Sequence, residues 1–103
     1  MIKYEEVEEI SDLSKIDIRK MPVKECDDLA KEEKETHILF DKKNNLAKIE
    51  TWDRSWILYL RKKKSFKPTK AFVSKDGQYL VGLWGLIPKT AIKISDKSGQ
   101  RLN

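Results

Sequence analysis

The sequence predicts one α+β domain, in which one or two short N-terminal helices precede a bent antiparallel sheet or small, partly open barrel of about five strands. Two observations lead to this prediction. Apolar residues recur at helical spacing in the first third, and from His37 onward short apolar segments alternate with turn residues. A chain of 103 residues suits one hydrophobic core, so we treat residues 1–103 as a single domain.

The helical signals lie in residues 4–10 and 22–30. Tyr4, Val7 and Ile10 follow helical spacing among glutamates. In residues 22–30, a proline suits the first helical position, the apolar residues share one stripe, and acidic residues precede lysines as the helix dipole favours. We expect helices in both segments, and a brief strand between them where isoleucines alternate with polar residues at 16–19.

Turn residues divide the rest of the chain into strands. Asn44 and Asn45 separate residues 37–40 from 46–52, and Asp76 and Gly77 separate residues 71–73 from 78–84. Both dipeptides favour tight turns, so two hairpins are predicted. Residues 56–60 are rich in strand formers and are predicted to be a central strand, and residues 91–94 a last strand. Residues 95–103 are expected to form a flexible tail.

Charge is distributed unevenly along a chain whose formal net charge is +5. Residues 1–36 hold twelve acidic and seven basic residues, whereas residues 37–103 hold five acidic and fifteen basic ones. An acidic N-terminal region packed beside the basic antiparallel region of residues 37–94 accounts for this asymmetry, and so does a charged binding surface.

Cysteine and hydropathy indicate the compartment. Cys26 is the only cysteine, which excludes an intramolecular disulfide and fits a reducing environment. The sequence has neither an apolar run long enough to cross a bilayer nor a signal-peptide pattern at its beginning. We therefore expect a cytoplasmic protein with no membrane partner.

Catalytic and metal-binding patterns are weak. One His and one Cys cannot complete a zinc site, and the four glycines form no phosphate-binding loop, so neither a metal nor a cofactor is expected. His37 and Glu50 could serve as the acid and base of a small ribonuclease. A metal-dependent nuclease could use Asp41, Lys48 and Glu50, although a surface Lys–Glu pair explains the last two more simply. A non-enzymatic protein is the favoured interpretation, with a nuclease as the enzymatic alternative.

The remaining feature is a basic segment, residues 61–70, which contains no acidic residue. Its lysines could contact phosphates, and Trp52 and Phe66 are expected to be exposed rings on which bases stack, whereas Phe72 and Trp84 are expected in the core. The residues assigned to nucleic-acid binding are Trp52, Arg61, Lys62, Lys63, Lys64, Phe66, Lys67 and Lys70. We expect single-stranded nucleic acid as the partner.

A protein target is the alternative partner. The chain would then be a small inhibitor or accessory factor, of the kind that mobile elements encode, and would capture its target stoichiometrically through its acidic front or a sheet edge. The sequence gives no oligomeric state.

Overall fold

A computed structural model describes residues 2–30 and 34–92; the predicted tail lies outside this part of the chain, as does the end of the predicted last strand. The described strands are β1 (Val7–Ile10), β2 (Thr36–Phe40), β3 (Leu46–Thr51), β4 (Lys67–Ser74) and β5 (Leu80–Pro88), and the α-helix is α1 (Arg54–Arg61). Short 3₁₀ turns span Tyr4–Glu6, Leu13–Lys15 and Lys89–Ala91. The last of these turns includes Ala91, where the sequence predicted that a strand begins, so that prediction is wrong for its described residues.

The five strands form one sheet in the order β1-β4-β5-β3-β2, and every neighbouring pair is antiparallel. Both predicted hairpins are confirmed, as β2–β3 and β4–β5. Gly77 has a φ of 75° in the second turn, the left-handed conformation that an Asp-Gly turn needs. β1 and β2 are the two edges, so the sheet is open and does not close into a barrel.

Residues 56–60 belong to α1, so the prediction of a central strand there is wrong. The Asp53 side chain caps the helix by accepting a hydrogen bond from the Ser55 backbone N–H at 2.8 Å. The carboxylate of Glu25 accepts a second one from the Arg54 N–H at 3.0 Å. Ile57 and Leu60 are fully buried one helical turn apart. The helix connects β3 to β4 across one face of the sheet, and β5 lies between those two strands.

The two predicted N-terminal helices are also wrong. Residues 4–10 form a 3₁₀ turn and β1. Val23 makes a parallel bridge to Leu80, with the Lys24 N–H donating to the Leu80 carbonyl at 3.1 Å and the Leu80 N–H donating to the Pro22 carbonyl at 2.9 Å. These bonds to β5 replace the helical bonds that the local pattern favoured. No strand forms at residues 16–19, which are a bend and a turn.

The main core lies between the sheet and α1. Its buried residues are Ile18, Val23, Ala47, Ile49, Ile57, Leu60, Phe66, Ala71, Val73, Leu80, Leu83 and Ile87. Phe66 is only 2% exposed, and its ring lies against the backbone of Gly85. A β-carbon on Gly85 would overlap two carbons of this ring and lie 2.7 Å from the Lys67 carbonyl oxygen. The close approach of Phe66 to β5 therefore requires glycine at position 85.

We predict that Gly85→Ala lowers the free energy of unfolding by about 1–3 kcal/mol, the usual cost of overpacking a core. Urea denaturation followed by far-ultraviolet circular dichroism measures the change. Because the clash is mainly with Phe66, the double variant Gly85→Ala/Phe66→Leu should lose less than the sum of the two single variants. Strict additivity would contradict the proposed overlap.

Candidate functional site

The sheet face opposite α1, which we call the open face, is the candidate functional site. Residues directly opposite each other in an antiparallel pair point to the same face. Lys70 and Glu50 both lie opposite Trp84, and Phe72 lies opposite Gly82. The alternate residues of these strands belong to the core beneath α1. These four side chains and the Gly82 backbone therefore belong to the open face.

Four aromatic rings form one cluster on the open face. The Trp52 ring centroid is 4.8 Å from that of Phe72, 5.6 Å from that of Trp84 and 5.7 Å from that of Tyr4. Phe72 and Trp84 also touch, with centroids 4.6 Å apart. A β-carbon on Gly82 would lie 3.0 Å from the Trp52 ring, so the indole packs directly on the strand backbone. We call Tyr4, Trp52, Phe72 and Trp84 the ring cluster.

The rings of the cluster remain partly accessible. Trp52, Phe72 and Trp84 are half-buried, and Tyr4 is 54% exposed. The expectation that Phe72 and Trp84 lie in the core is therefore wrong. A sequence signal did exist, because Phe72 alternates with Ala71 and Val73 and so shares a face with Lys70.

Charged side chains border the ring cluster. The Lys70 ammonium lies 3.5 Å from the Glu9 carboxylate, and the Lys48 ammonium lies 3.4 Å from that of Glu50. Lys67 lies opposite Leu86 on the same face, and it forms no ion pair with a described residue. The open face thus combines lysines with rings, while two of its lysines are partly neutralised.

The structure divides the predicted basic site between different surfaces. Lys67 and Lys70 lie on the open face with Trp52. Lys62 and Lys63, which follow the end of α1, instead line a shallow depression with Ser55, Leu58 and Tyr59 of the helix. The Lys63 ammonium lies 4.8 Å from the centre of the Tyr59 ring. Lys64 lies in the exposed turn that leads toward β4.

Arg61 and Phe66 contact other parts of the protein and do not belong to the open face. The Arg61 guanidinium donates to the carbonyl of Ile18 at 3.2 Å and also to that of Met21, which ties the N-terminal segment to the end of α1. The prediction that Phe66 is an exposed ring is wrong. Its charged neighbours in the sequence suggested exposure, but β4 turns its ring toward Gly85 and the core.

At one end of the open face, the backbone of Ile2 and Tyr4 is hydrogen-bonded to Asp27 and Asp28, and we call these residues the N-terminal clasp. The Ile2 N–H donates to the Asp27 carboxylate at 2.6 Å, the Asp27 N–H donates to the Ile2 carbonyl at 2.7 Å, and the Tyr4 N–H donates to the Asp28 carboxylate at 2.8 Å. Beneath it, Ile2, Cys26 and Val81 form a small second core that Trp52 also touches. The clasp holds the Tyr4 ring against that of Trp52.

Catalytic and metal-binding groups do not converge in the part of the chain that the structure describes. That part contains no group of three or more His, Cys, Asp or Glu side chains placed to hold a metal ion. His37 and Glu50 lie opposite each other on β2 and β3, but the Glu50 carboxylate is engaged by Lys48. The His37 side chain is 64% exposed.

The chain has no match among protein-family models, curated proteins or solved structures. None of the helices in residues 2–30 and 34–92 has the length and apolar character needed to cross a membrane.

Cys26 allows a test of the clasp. Burial and a hydrogen bond to Asp28 raise the pKa of its thiol from 9.0 to about 11. The unfolded thiol ionises at the lower value, so the stability contributed by the neutral thiol is present below pH 9 and is lost as pH rises toward 11.

We predict that urea denaturation shows a larger loss of stability between pH 8 and pH 10 for the native chain than for Cys26→Ala, which controls for the titration of tyrosines and lysines. Reaction with a thiol-specific disulfide reagent at pH 8 should also be far slower in the folded chain than in urea. Equal pH dependence of the two proteins, or rapid labelling of the folded chain, would contradict this account.

Proposed function

We propose that the chain is a non-enzymatic binding domain that holds single-stranded nucleic acid on its open face. The observation that supports this proposal is the position of the partly accessible ring cluster beside Lys67 and Lys70 on one face of a sheet. Rings provide stacking surfaces for bases, and lysines beside them provide charge for the phosphates.

The geometry favours a single strand over a duplex. Aromatic rings on a sheet can stack only on bases whose faces are accessible, and a duplex keeps those faces inside its own stack. In proteins that bind single-stranded nucleic acid, each base stacked on an aromatic ring contributes about 1–3 kcal/mol to the binding free energy. Trp52 and Trp84 are the proposed stacking rings, and Phe72 contacts both of them.

Lysines would position the phosphates. Lys67 is the strongest candidate because it has no carboxylate partner among the described residues, and Lys70 stands opposite Trp84. Lys62 and Lys63 directly follow α1, away from the ring cluster, so in this proposal they add only to the long-range positive field. Phe66 has no contact with the ligand.

A protein target remains the second candidate, and the ion pairs on the open face favour it. Glu9 and Glu50 neutralise part of the charge on Lys70 and Lys48, and a surface of half-buried aromatics with balanced charges also suits a protein interface. The chain would then act as a small inhibitor or accessory factor by stoichiometric capture, with a gentler dependence of affinity on salt.

We predict that a labelled single-stranded oligonucleotide binds with an affinity that falls steeply with salt, measured by fluorescence anisotropy at low and near-physiological ionic strength. Lys67→Gln/Lys70→Gln should weaken binding about tenfold or more and reduce the slope of log affinity against log salt by roughly 1.4, about 0.7 for each lost phosphate contact.

The matched control is Lys62→Gln/Lys63→Gln, which removes the same charge from the segment that follows α1 and should reduce affinity only slightly. Equal losses in both variants would indicate a diffuse charge effect and contradict a site on the open face. Absence of binding at low salt would overturn the nucleic-acid proposal and leave the protein target as the function to test.

A further inference from the structure

The two edges of the sheet differ in charge. β2 (Thr36–Phe40) contains no Asp, Glu, Lys or Arg, in a chain that is 38% charged. At the other edge, β1 carries Glu8 and Glu9 among its four residues. Charged side chains on an edge strand discourage pairing with another sheet, so β1 has such protection and β2 lacks it.

Apolar side chains are exposed on both faces of the sheet at the β2 edge. Leu39 is 60% exposed and Phe40 is 53% exposed, and as consecutive strand residues they point to opposite faces. Leu39 and Phe40 also line a shallow depression together with Leu46 of β3 and Leu86 of β5. A strand placed beside β2 would bury apolar surface on both faces.

The backbone of β2 has hydrogen-bonding groups available for such a strand. The Asp41 N–H donates to the Leu46 carbonyl at 3.1 Å, and the bonding alternates along an antiparallel ladder. This alternation turns the backbone groups of Leu39 and His37 toward β3, and those of Thr36, Ile38 and Phe40 outward. No described segment pairs with the outer side of β2.

We propose that β2 pairs antiparallel with β2 of a second copy of this chain, around a two-fold axis at Ile38. In this register Ile38 faces its own equivalent, His37 faces Leu39, and Thr36 faces Phe40. None of these pairs contains an Asp, Glu, Lys or Arg, and the outward backbone groups of Thr36, Ile38 and Phe40 are arranged symmetrically about Ile38, so the strand is complementary to itself.

Charged residues lie just beyond the ends of the strand. In this register Glu35 of one copy lies opposite Asp41 of the other, at the start of the hairpin turn. The Asp41 carboxylate accepts hydrogen bonds within its own turn, from the Lys43 N–H at 2.8 Å and the Asn44 side chain at 2.9 Å. These bonds hold the Asp41 side chain in its turn, so the pairs within residues 36–40 carry the interface.

The pairing has a geometric consequence. A two-fold axis between antiparallel strands of one sheet runs perpendicular to that sheet, so the open faces of both copies lie on the same side. The two five-stranded sheets become one continuous sheet with a ring cluster in each half. The dimer is independent of the ligand: it goes beyond the proposed function and does not require it.

Sedimentation velocity and light scattering over a concentration series test the dimer. We expect the native chain to approach twice its mass of 12.1 kDa as its concentration rises. Leu39→Lys/Phe40→Lys places two like charges at the edge and should shift the protein to monomer. Tyr4→Lys/Tyr59→Lys is the matched control, because it replaces two other large hydrophobic residues that are exposed and should leave the dimer intact.

Ile38→Pro provides a second variant. It removes an outward N–H that the proposed dimer uses and leaves the bonds between β2 and β3 in place, so it should abolish dimerisation while circular dichroism shows a folded chain. A native chain that stays monomeric throughout the series would overturn the proposal. A dimer that survives both edge variants would also overturn it, by showing that another surface pairs.

Discussion

The packing of one aromatic ring against each face of β5 is the contact on which the rest of the structure depends. Gly85 admits the Phe66 ring on the side of α1, and Gly82 admits the Trp52 ring on the open face. Any larger residue at these positions would keep the rings away from the backbone. Phe66 then fixes the start of β4 below the helix, and Trp52 organises the ring cluster around itself.

Irregular pairing in the β4–β5 hairpin sets which side chains reach the open face. The register skips Val81 on β5, and this residue joins Ile2 and Cys26 in the core under the clasp, whereas Leu80 joins the core under α1. A bulge commonly redirects a side chain in this way. The same hairpin therefore supports two cores and leaves the ring cluster between the clasp and the lysines.

Local turn chemistry made the two hairpins predictable from sequence. Gly77 adopts the positive φ that its turn needs. The first turn is held instead by the Asp41 carboxylate, which accepts hydrogen bonds from the Lys43 N–H and the Asn44 side chain, and neither Asn44 nor Asn45 has a positive φ. α1 was missed because its apolar residues are consecutive and resemble a buried strand, although Asp53 before them is a helix-capping residue. Residues 22–30 were misjudged because the backbone groups of Pro22 and Lys24 bond to Leu80, far along the chain, and that of Asp27 bonds to Ile2, which no local pattern reveals.

The candidate site was predictable only in part, because the sequence shows residue types and does not show long-range contacts. Trp52, Lys67 and Lys70 were identified from residue type, and the structure brings them to one face. Phe66 was misplaced because its burial depends on Gly85, a long-range contact, and Phe72 and Trp84 because apolar context outweighed the alternation of their strands. The distribution of charge along the sequence likewise did not reveal the ion pair between Glu9 on β1 and Lys70 on the neighbouring strand β4.

The central claim is that the ring cluster contacts the ligand, and nuclear magnetic resonance of the three indole N–H groups tests it most directly. Trp52 and Trp84 lie on the open face, whereas Trp56 contacts Tyr59 on α1 and serves as an internal control. Titration with a single-stranded oligonucleotide should shift the signals of Trp52 and Trp84 and leave that of Trp56 nearly unchanged. A shift confined to Trp56, or to the amides of α1, would contradict the account.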